Sequence, residues 1–129
     1  MALVGGAGCG GGDSFGSKAL VQQSKALQSE AAEGALVAED AASGKATRTF
    51  TRERSVELSQ AVSEVEASLK KAQTESGLEQ KLRLLAGVAT RVGSNLRRLG
   101  GASGAEQRVL GRELEAAALE SQRIGESLP

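Results

Sequence analysis

One stretch decides the fold of this chain, the run LEQKLRLLAGVATRVGSNLRRL from Leu78 to Leu99. Its apolar residues recur at alternating spacings of four and three, which brings their side chains onto one face of a helix. These seam residues are Leu78, Leu82, Leu85, Ala89, Val92, Leu96 and Leu99. The pattern ends at Gly100 and Gly101, which favour a helix terminus. The stretch therefore predicts a helix whose apolar face must be buried on neighbouring helices.

The sequence that follows predicts a further helix. Ser103 and Glu106 have the spacing of a capping box, in which each side chain accepts a hydrogen bond from the other residue's backbone amide. A second seam comes after them and consists of Leu110, Leu114, Ala117, Ser121, Ile124 and Leu128.

Two more helices are predicted on the N-terminal side of Leu78. One spans about residues 51–74, and its inner face is Ser55, Leu58, Val62, Val65, Leu69 and Ala72. The other spans about residues 17–43, and its inner face is Leu20, Ser24, Leu27, Ala31, Gly34, Ala38 and Ala41. Gly44 suits the C-terminal end of the helix over residues 17–43. Ser76-Gly77 interrupts the pattern between the helix over residues 51–74 and the helix that begins near Leu78.

Four amphipathic helices with short connections predict an all-α fold, an antiparallel up-down four-helix bundle over residues 17–129. The length of 129 residues is that of one domain. With two Phe and no Trp or Tyr, the core must consist of Leu, Val and Ala. Because Ser76-Gly77 is a weak break, a long helical hairpin or coiled coil that dimerises is the alternative.

The residue types argue against an enzyme. The chain has no His and a single Cys, which removes the commonest general base and the commonest transition-metal ligands. The inward seams hold no carboxylate of the kind that binds iron in helical bundles. Gly6 to Gly11 fits G-x-G-x-x-G without a preceding strand, and Ser68 to Lys71 fits S-x-x-K without companion motifs. We therefore expect no catalytic, cofactor-binding or metal-binding residues and no cofactor.

Charge gives no reason to expect nucleic acid as a partner. The 16 basic residues balance 16 acidic ones that are interleaved with them, and the chain has only two aromatic residues with which to stack on bases. The basic residues considered are Arg52, Arg54, Lys70, Lys71, Arg91, Arg97 and Arg98. A stripe of small residues, Ala31, Gly34, Ala35 and Ala38, indicates close helix packing first, and a groove for a partner helix second.

The single Cys lies near the N-terminus, in the run Leu3-Val4-Gly5-Gly6-Ala7-Gly8-Cys9-Gly10-Gly11-Gly12. Small residues before a Cys and a Gly-rich stretch after it resemble the lipobox of bacterial lipoproteins. Gly6 stands where that family usually has Leu. The segment before Cys9 is also shorter than a full signal peptide and has no basic residue, which indicates a truncated signal peptide. No family is recognised for the helical part.

The resemblance implies that Cys9 is lipidated and that residues 1–16 contain a signal-peptide remnant, the lipobox and a flexible Gly-rich tether. The protein is then a helical-bundle binding or structural module on the extracytoplasmic face of the cell membrane, held there through the lipid on Cys9. If Cys9 is incidental, the alternative is a soluble cytoplasmic adaptor that oligomerises through its heptad seams. Under either interpretation, helix faces offer a surface for a protein partner or for a homo-oligomer.

Overall fold

The computed structural model describes residues 14–129, and within them the chain forms four helices. These are α1 (Ser17–Ala42), α2 (Arg48–Lys71), α3 (Glu79–Leu99) and α4 (Gly104–Glu126). Each packs on the helix before and after it in the chain, and α1 packs on α4 to close the ring. The predicted four-helix bundle is confirmed. It closes within a single chain, so the long-hairpin alternative is not needed.

The predicted signals define the helix ends. Gly44 follows α1 with φ 77° and Gly77 precedes α3 with φ 96°, the left-handed conformation that glycine adopts without a steric penalty. Ser103 accepts a hydrogen bond from the Glu106 amide and begins α4. The reciprocal half of the capping box is absent among the described residues, because the Glu106 carboxylate pairs with Arg98 instead.

The core consists of the predicted seams. All seven seam residues of α3 are buried, and most of those in the other helices are too; only Ala41, Val65, Ala72 and Leu128 stay partly accessible. The structure adds residues beside the seams, because each helix contacts two neighbours and buries a wider stripe than a two-stranded coiled coil does. The added residues are Val37, Thr51, Ser59, Val88, Gly93 and Ala118.

One feature departs from a purely helical pattern. Helix α2 ends at Lys71, three residues before the predicted end, and Gln73–Thr74 forms a short strand, β2. It pairs in parallel with β1, Ser14–Phe15, in the register Ser14 to Gln73 and Phe15 to Thr74. The last residues of the predicted tether are therefore attached to the end of the bundle that holds the α2–α3 connection.

Helices α1 and α4 make the most extensive contact in the bundle. Small residues allow their close approach: a β-carbon on Gly111 would lie 3.2 Å from Cβ of Ala38. Near the other end, a β-carbon on Gly125 would overlap the Ser24 hydroxyl. These contacts leave no room for larger side chains. At these positions only small side chains therefore cover the line along which α1 and α4 meet.

Candidate functional site

Ion pairs or hydrogen bonds to a carboxylate cross three of the four outer grooves of the bundle. In each, a side chain of one helix bonds to a side chain of its neighbour. The pairs are Glu33 with Arg54 between α1 and α2, Glu66 with Thr90 between α2 and α3, and Glu120 with Arg91 and Glu106 with Arg98 between α3 and α4. These bridges cover the lines where those helices meet.

The fourth groove, between α1 and α4, is open. It forms a depression of about 710 Å³ that extends from Gln28 and Gln122 to Ser43 and Gln107. We call it the α1–α4 groove. Its floor is made of small residues, namely Ala32, Ala35, Gly111 and Ala118. A smaller depression of about 340 Å³ lies on the α2–α3 side, beside Val56 and Arg97.

Two leucines stand exposed in the α1–α4 groove. Leu36 of α1 keeps 60% of its surface accessible and Leu119 of α4 keeps 48%. They lie next to the alanine floor, so the apolar surface is continuous rather than scattered. A contiguous apolar surface with a polar rim is typical of a site of protein interaction.

Charged residues line the Ser43 end of this groove and its middle. Glu39 comes from α1, while Arg108, Arg112 and Glu115 come from α4. None of the four forms an ion pair within residues 14–129, in contrast to the charges over the other grooves. Arg108 Nη2 donates to the Ala42 carbonyl oxygen at 3.4 Å. These four residues form a rim that presents both positive and negative charge to a partner.

The opposite end of the groove is uncharged. Gln28 Nε2 lies 3.5 Å from Gln122 Oε1, a long hydrogen bond between α1 and α4. Gln122 Nε2 also donates to Glu126 Oε2 at 3.0 Å. The groove is thus asymmetric along its length, with charge at the Ser43 end and amides at the Gln28 end.

The groove has the dimensions and chemistry to hold a helix. Its length from Gln28 to Ser43 is about 22 Å at 1.5 Å per residue, or four turns. Within residues 14–129, no cluster of three His, Cys, Asp or Glu side chains is arranged to hold a metal ion.

Two carboxyl groups elsewhere have shifted pKa values. A hydrogen bond from Lys70, followed by one from Thr90, lowers the pKa of Glu66. Hydrogen bonds from its own amide and from the amide of Gly77 lower the pKa of Glu79. Both carboxylates are held by groups that stabilise the α2–α3 region, so these shifts have structural causes.

Of the described residues singled out from sequence, most lie apart from the groove. Cys9 lies outside the described residues. Ser68 and Lys71 are both exposed on α2. Of the seven basic residues, four are paired with carboxylates: Arg54, Lys70, Arg91 and Arg98. Of the small-residue stripe on α1, Ala31, Gly34 and Ala38 are buried, and only Ala35 lines the groove.

Sequence reasoning missed Leu36 and Leu119, although a signal was present. Both are large apolar residues that fall outside the seam positions of their helices. A leucine off the seam of an amphipathic helix widens the apolar stripe and indicates contact with something beyond the bundle. Which two such residues share a surface depends on how α1 and α4 pack, which periodicity alone does not give.

In the described part of the chain, no helix is long and apolar enough to cross a membrane. Comparison of the chain with protein-family models, with curated proteins and with solved structures finds no match.

Proposed function

We propose that this protein is a lipid-anchored cell-envelope module that binds a protein partner through the α1–α4 groove. The open groove is the observation that carries the binding part of the proposal, because it joins exposed leucines to a rim of unpaired charges. The anchoring part rests on the lipobox-like sequence around Cys9. In this proposal the protein has no enzymatic activity, and the bundle positions a binding surface.

The attachment of β1 supports an orientation for the anchored bundle. Four residues lie between Cys9 and Ser14, so five Cα–Cα steps join them and span at most about 18 Å. Ser14 pairs with Gln73 beside the α2–α3 connection, so a lipid on Cys9 would hold that end of the bundle near the bilayer. Ser17 Oγ donates to the Pro129 carbonyl oxygen at 2.6 Å, so the C-terminus lies at the same end.

This orientation leaves the groove accessible. Gln28 lies eleven residues into α1, about 17 Å from the start of that helix, and the groove continues away from it to Ser43. The charged rim then lies at the end of the bundle farthest from the bilayer. A partner in the envelope would meet the groove without displacing lipid.

The anchor is tested by modification and fractionation. A chain with a basic, Leu-rich leader before Met1 is expressed in a bacterial host, beside a Cys9→Ser variant. We expect the first to fractionate with the membrane and to carry a diacylglycerol on Cys9, since two acyl chains hold a protein at a bilayer that one chain holds only marginally. We expect Cys9→Ser to be a folded, soluble bundle.

Mass spectrometry of the membrane fraction gives the decisive measurement. Circular dichroism of the Cys9→Ser chain is the control, because its helices should be intact. A wild-type chain that stays soluble, with an unmodified Cys9 and an intact N-terminus, would overturn the anchor and favour the soluble cytoplasmic adaptor.

A further inference from the structure

We infer that the occupant of the α1–α4 groove is a second copy of this chain, related to the first by a two-fold axis parallel to the helices. This inference deepens the proposed function by naming the partner of the same groove. In this arrangement α1 of one copy packs antiparallel on α4 of the other, and the interface is formed twice by the same residues.

The charges of the groove complement those of a second copy. Ala38 lies level with Gly111, and Ser24 lies level with Gly125, which fixes the register of α1 against α4. In that register Glu39 lies midway between Arg108 and Arg112, about 3 Å along the axis from each. Rotation about an axis parallel to the helices does not change the position of any residue along that axis. Glu39 of each copy would therefore face Arg108 and Arg112 of the other.

This pairing of charges also determines the direction of the two-fold axis. A two-fold axis perpendicular to the helices would bring the charged end of one groove onto the Gln28 and Gln122 end of the other, where charge has no counterpart. The parallel axis instead brings Glu39 opposite Arg108 and Arg112 at two symmetry-related places in the dimer. It also puts β1 of both copies at the same end of the dimer, so that two anchors would reach one membrane.

The apolar side chains of the groove also fit those of a second copy. At the same levels, Leu119 of one copy would lie within about 3 Å along the axis of Ala32 of the other, and Leu36 within about 3 Å of Gly111. Each exposed leucine would therefore lie near the height of a small residue that lines the groove, and Leu36 would also lie within about 2 Å along the axis of Arg112. This alternation of large and small is the packing that lets facing helices interdigitate.

The area of the α1–α4 face matches that of a stable interface. Helix α1 has 26 residues and is about 39 Å long, and two adjacent helices are about 20 Å wide. The face that α1 and α4 present together therefore covers on the order of 800 Å² per copy. A stable interface of standard size buries about 800 Å² on each partner. Because the α1–α4 groove is only about 22 Å long, a dimer of standard size would use the whole face of the two helices and not the groove alone.

The test uses charge reversal in the Cys9→Ser chain, so that its outcome is independent of lipidation. One variant carries Glu39→Arg and the other carries Arg108→Glu with Arg112→Glu. Each variant alone would face like charges at both contacts, and we expect dimerisation to weaken at least about tenfold. Mixed one to one, the two variants regain opposite charges at both contacts and should form a heterodimer.

Sedimentation equilibrium measures the mass, and native mass spectrometry identifies the heterodimer. Glu64→Arg and Arg83→Glu, on exposed positions of α2 and α3, are the matched controls and should dimerise like the parent chain. A parent chain that is monomeric at about 100 μM would overturn the inference, as would two variants that each dimerise normally. Two monomeric variants that fail to pair when mixed would overturn it as well.

Disulfide cross-linking tests the register of the proposed dimer without depending on charge. In the Cys9→Ser chain, a variant with Ala32→Cys is mixed with a separate variant with Leu119→Cys under mild oxidation. We expect a disulfide-linked heterodimer to exceed either linked homodimer at least about fivefold, because the proposed register brings residue 32 of one copy near residue 119 of the other. Equal yields of the three linked species would contradict the register.

Discussion

Gly34 of α1 lies directly against Leu96 of α3: a β-carbon on Gly34 would come within 2.7 Å of Cδ2 of Leu96. It would also come within 3.3 Å of Cδ1 of Leu114 in α4. Three helices therefore meet at a position where α1 has no side chain. Leu96 and Leu114 are fully buried, so neither can move away without displacing other core residues.

We predict that Gly34→Ala destabilises the bundle by about 1–2 kcal/mol. Alanine favours a helix interior over glycine by up to about 1 kcal/mol, but overpacking a core typically costs about 1–3 kcal/mol. Gly87→Ala is the matched control, because a β-carbon there meets nothing within 4 Å. It should stabilise α3 by about 0.5–1 kcal/mol. Urea denaturation measures both; equal effects would refute the close contact at Gly34.

The seam of α3 gives a second prediction. Leu96 is fully buried, and Leu96→Ala removes methylenes and leaves a cavity, which should cost about 2–5 kcal/mol in the free energy of unfolding. The neighbouring Arg97 is exposed, and Arg97→Ala should change that energy by less than about 0.5 kcal/mol. Similar melting shifts for the two variants would show that Leu96 is not a core residue.

The contrast between these neighbours shows what periodicity can predict. Alternating spacings of four and three located Leu96 in the core and Arg97 outside it, because an isolated helix has only one face to bury. The same reasoning located Gly34 on the inner face of α1. It did not reveal that Gly34 contacts both Leu96 and Leu114, since that depends on how closely three helices approach one another.

Two further features depended on long-range packing. The pairing of Ser14 with Gln73 joins segments about sixty residues apart, and neither two-residue strand has a pattern of its own. The α1–α4 groove exists because Gly111 and Gly125 admit Ala38 and Ser24, which holds two helices close and leaves Leu36 and Leu119 on either side. Helical periodicity identifies which residues face inward and does not identify which inward faces meet.

A third prediction concerns Ser121, the side chain whose buried polar atom has no hydrogen-bond partner in the described part of the chain. Burying an unsatisfied hydroxyl is unfavourable, so Ser121→Ala should raise the free energy of unfolding by about 0.5–1 kcal/mol. Ser55 is the control, because its buried Oγ donates to the Thr51 carbonyl oxygen at 2.6 Å. Ser55→Ala should leave that energy unchanged or lower it by up to about 1 kcal/mol.

Thermal and urea denaturation of the two serine variants separate these effects. Both substitutions remove one oxygen from a buried helical position, so helix propensity and volume change alike. A Ser121→Ala variant that is less stable than Ser55→Ala would show that the Ser121 hydroxyl has a partner, for which a buried water is the physical candidate.

The last prediction is a pH dependence at Glu66. Its carboxylate accepts hydrogen bonds from Lys70 at 2.8 Å and from Thr90 at 2.6 Å, and these hold its pKa below the usual value. A carboxyl whose pKa is lower in the folded state stabilises that state above the unfolded pKa and loses this contribution as the pH falls through the folded pKa.

Glu66→Gln should therefore cost about 0.5–1 kcal/mol at pH 7. The cost should shrink as the pH falls below the usual glutamate pKa of about 4.3 and then through the lower pKa of the folded state, where the wild-type carboxyl is protonated too. Glu64→Gln, at an exposed position of α2, is the control and should show no such dependence. Urea denaturation from pH 7 to pH 3 measures the difference, and a cost that stays constant across this range would contradict the ionic contacts of Glu66.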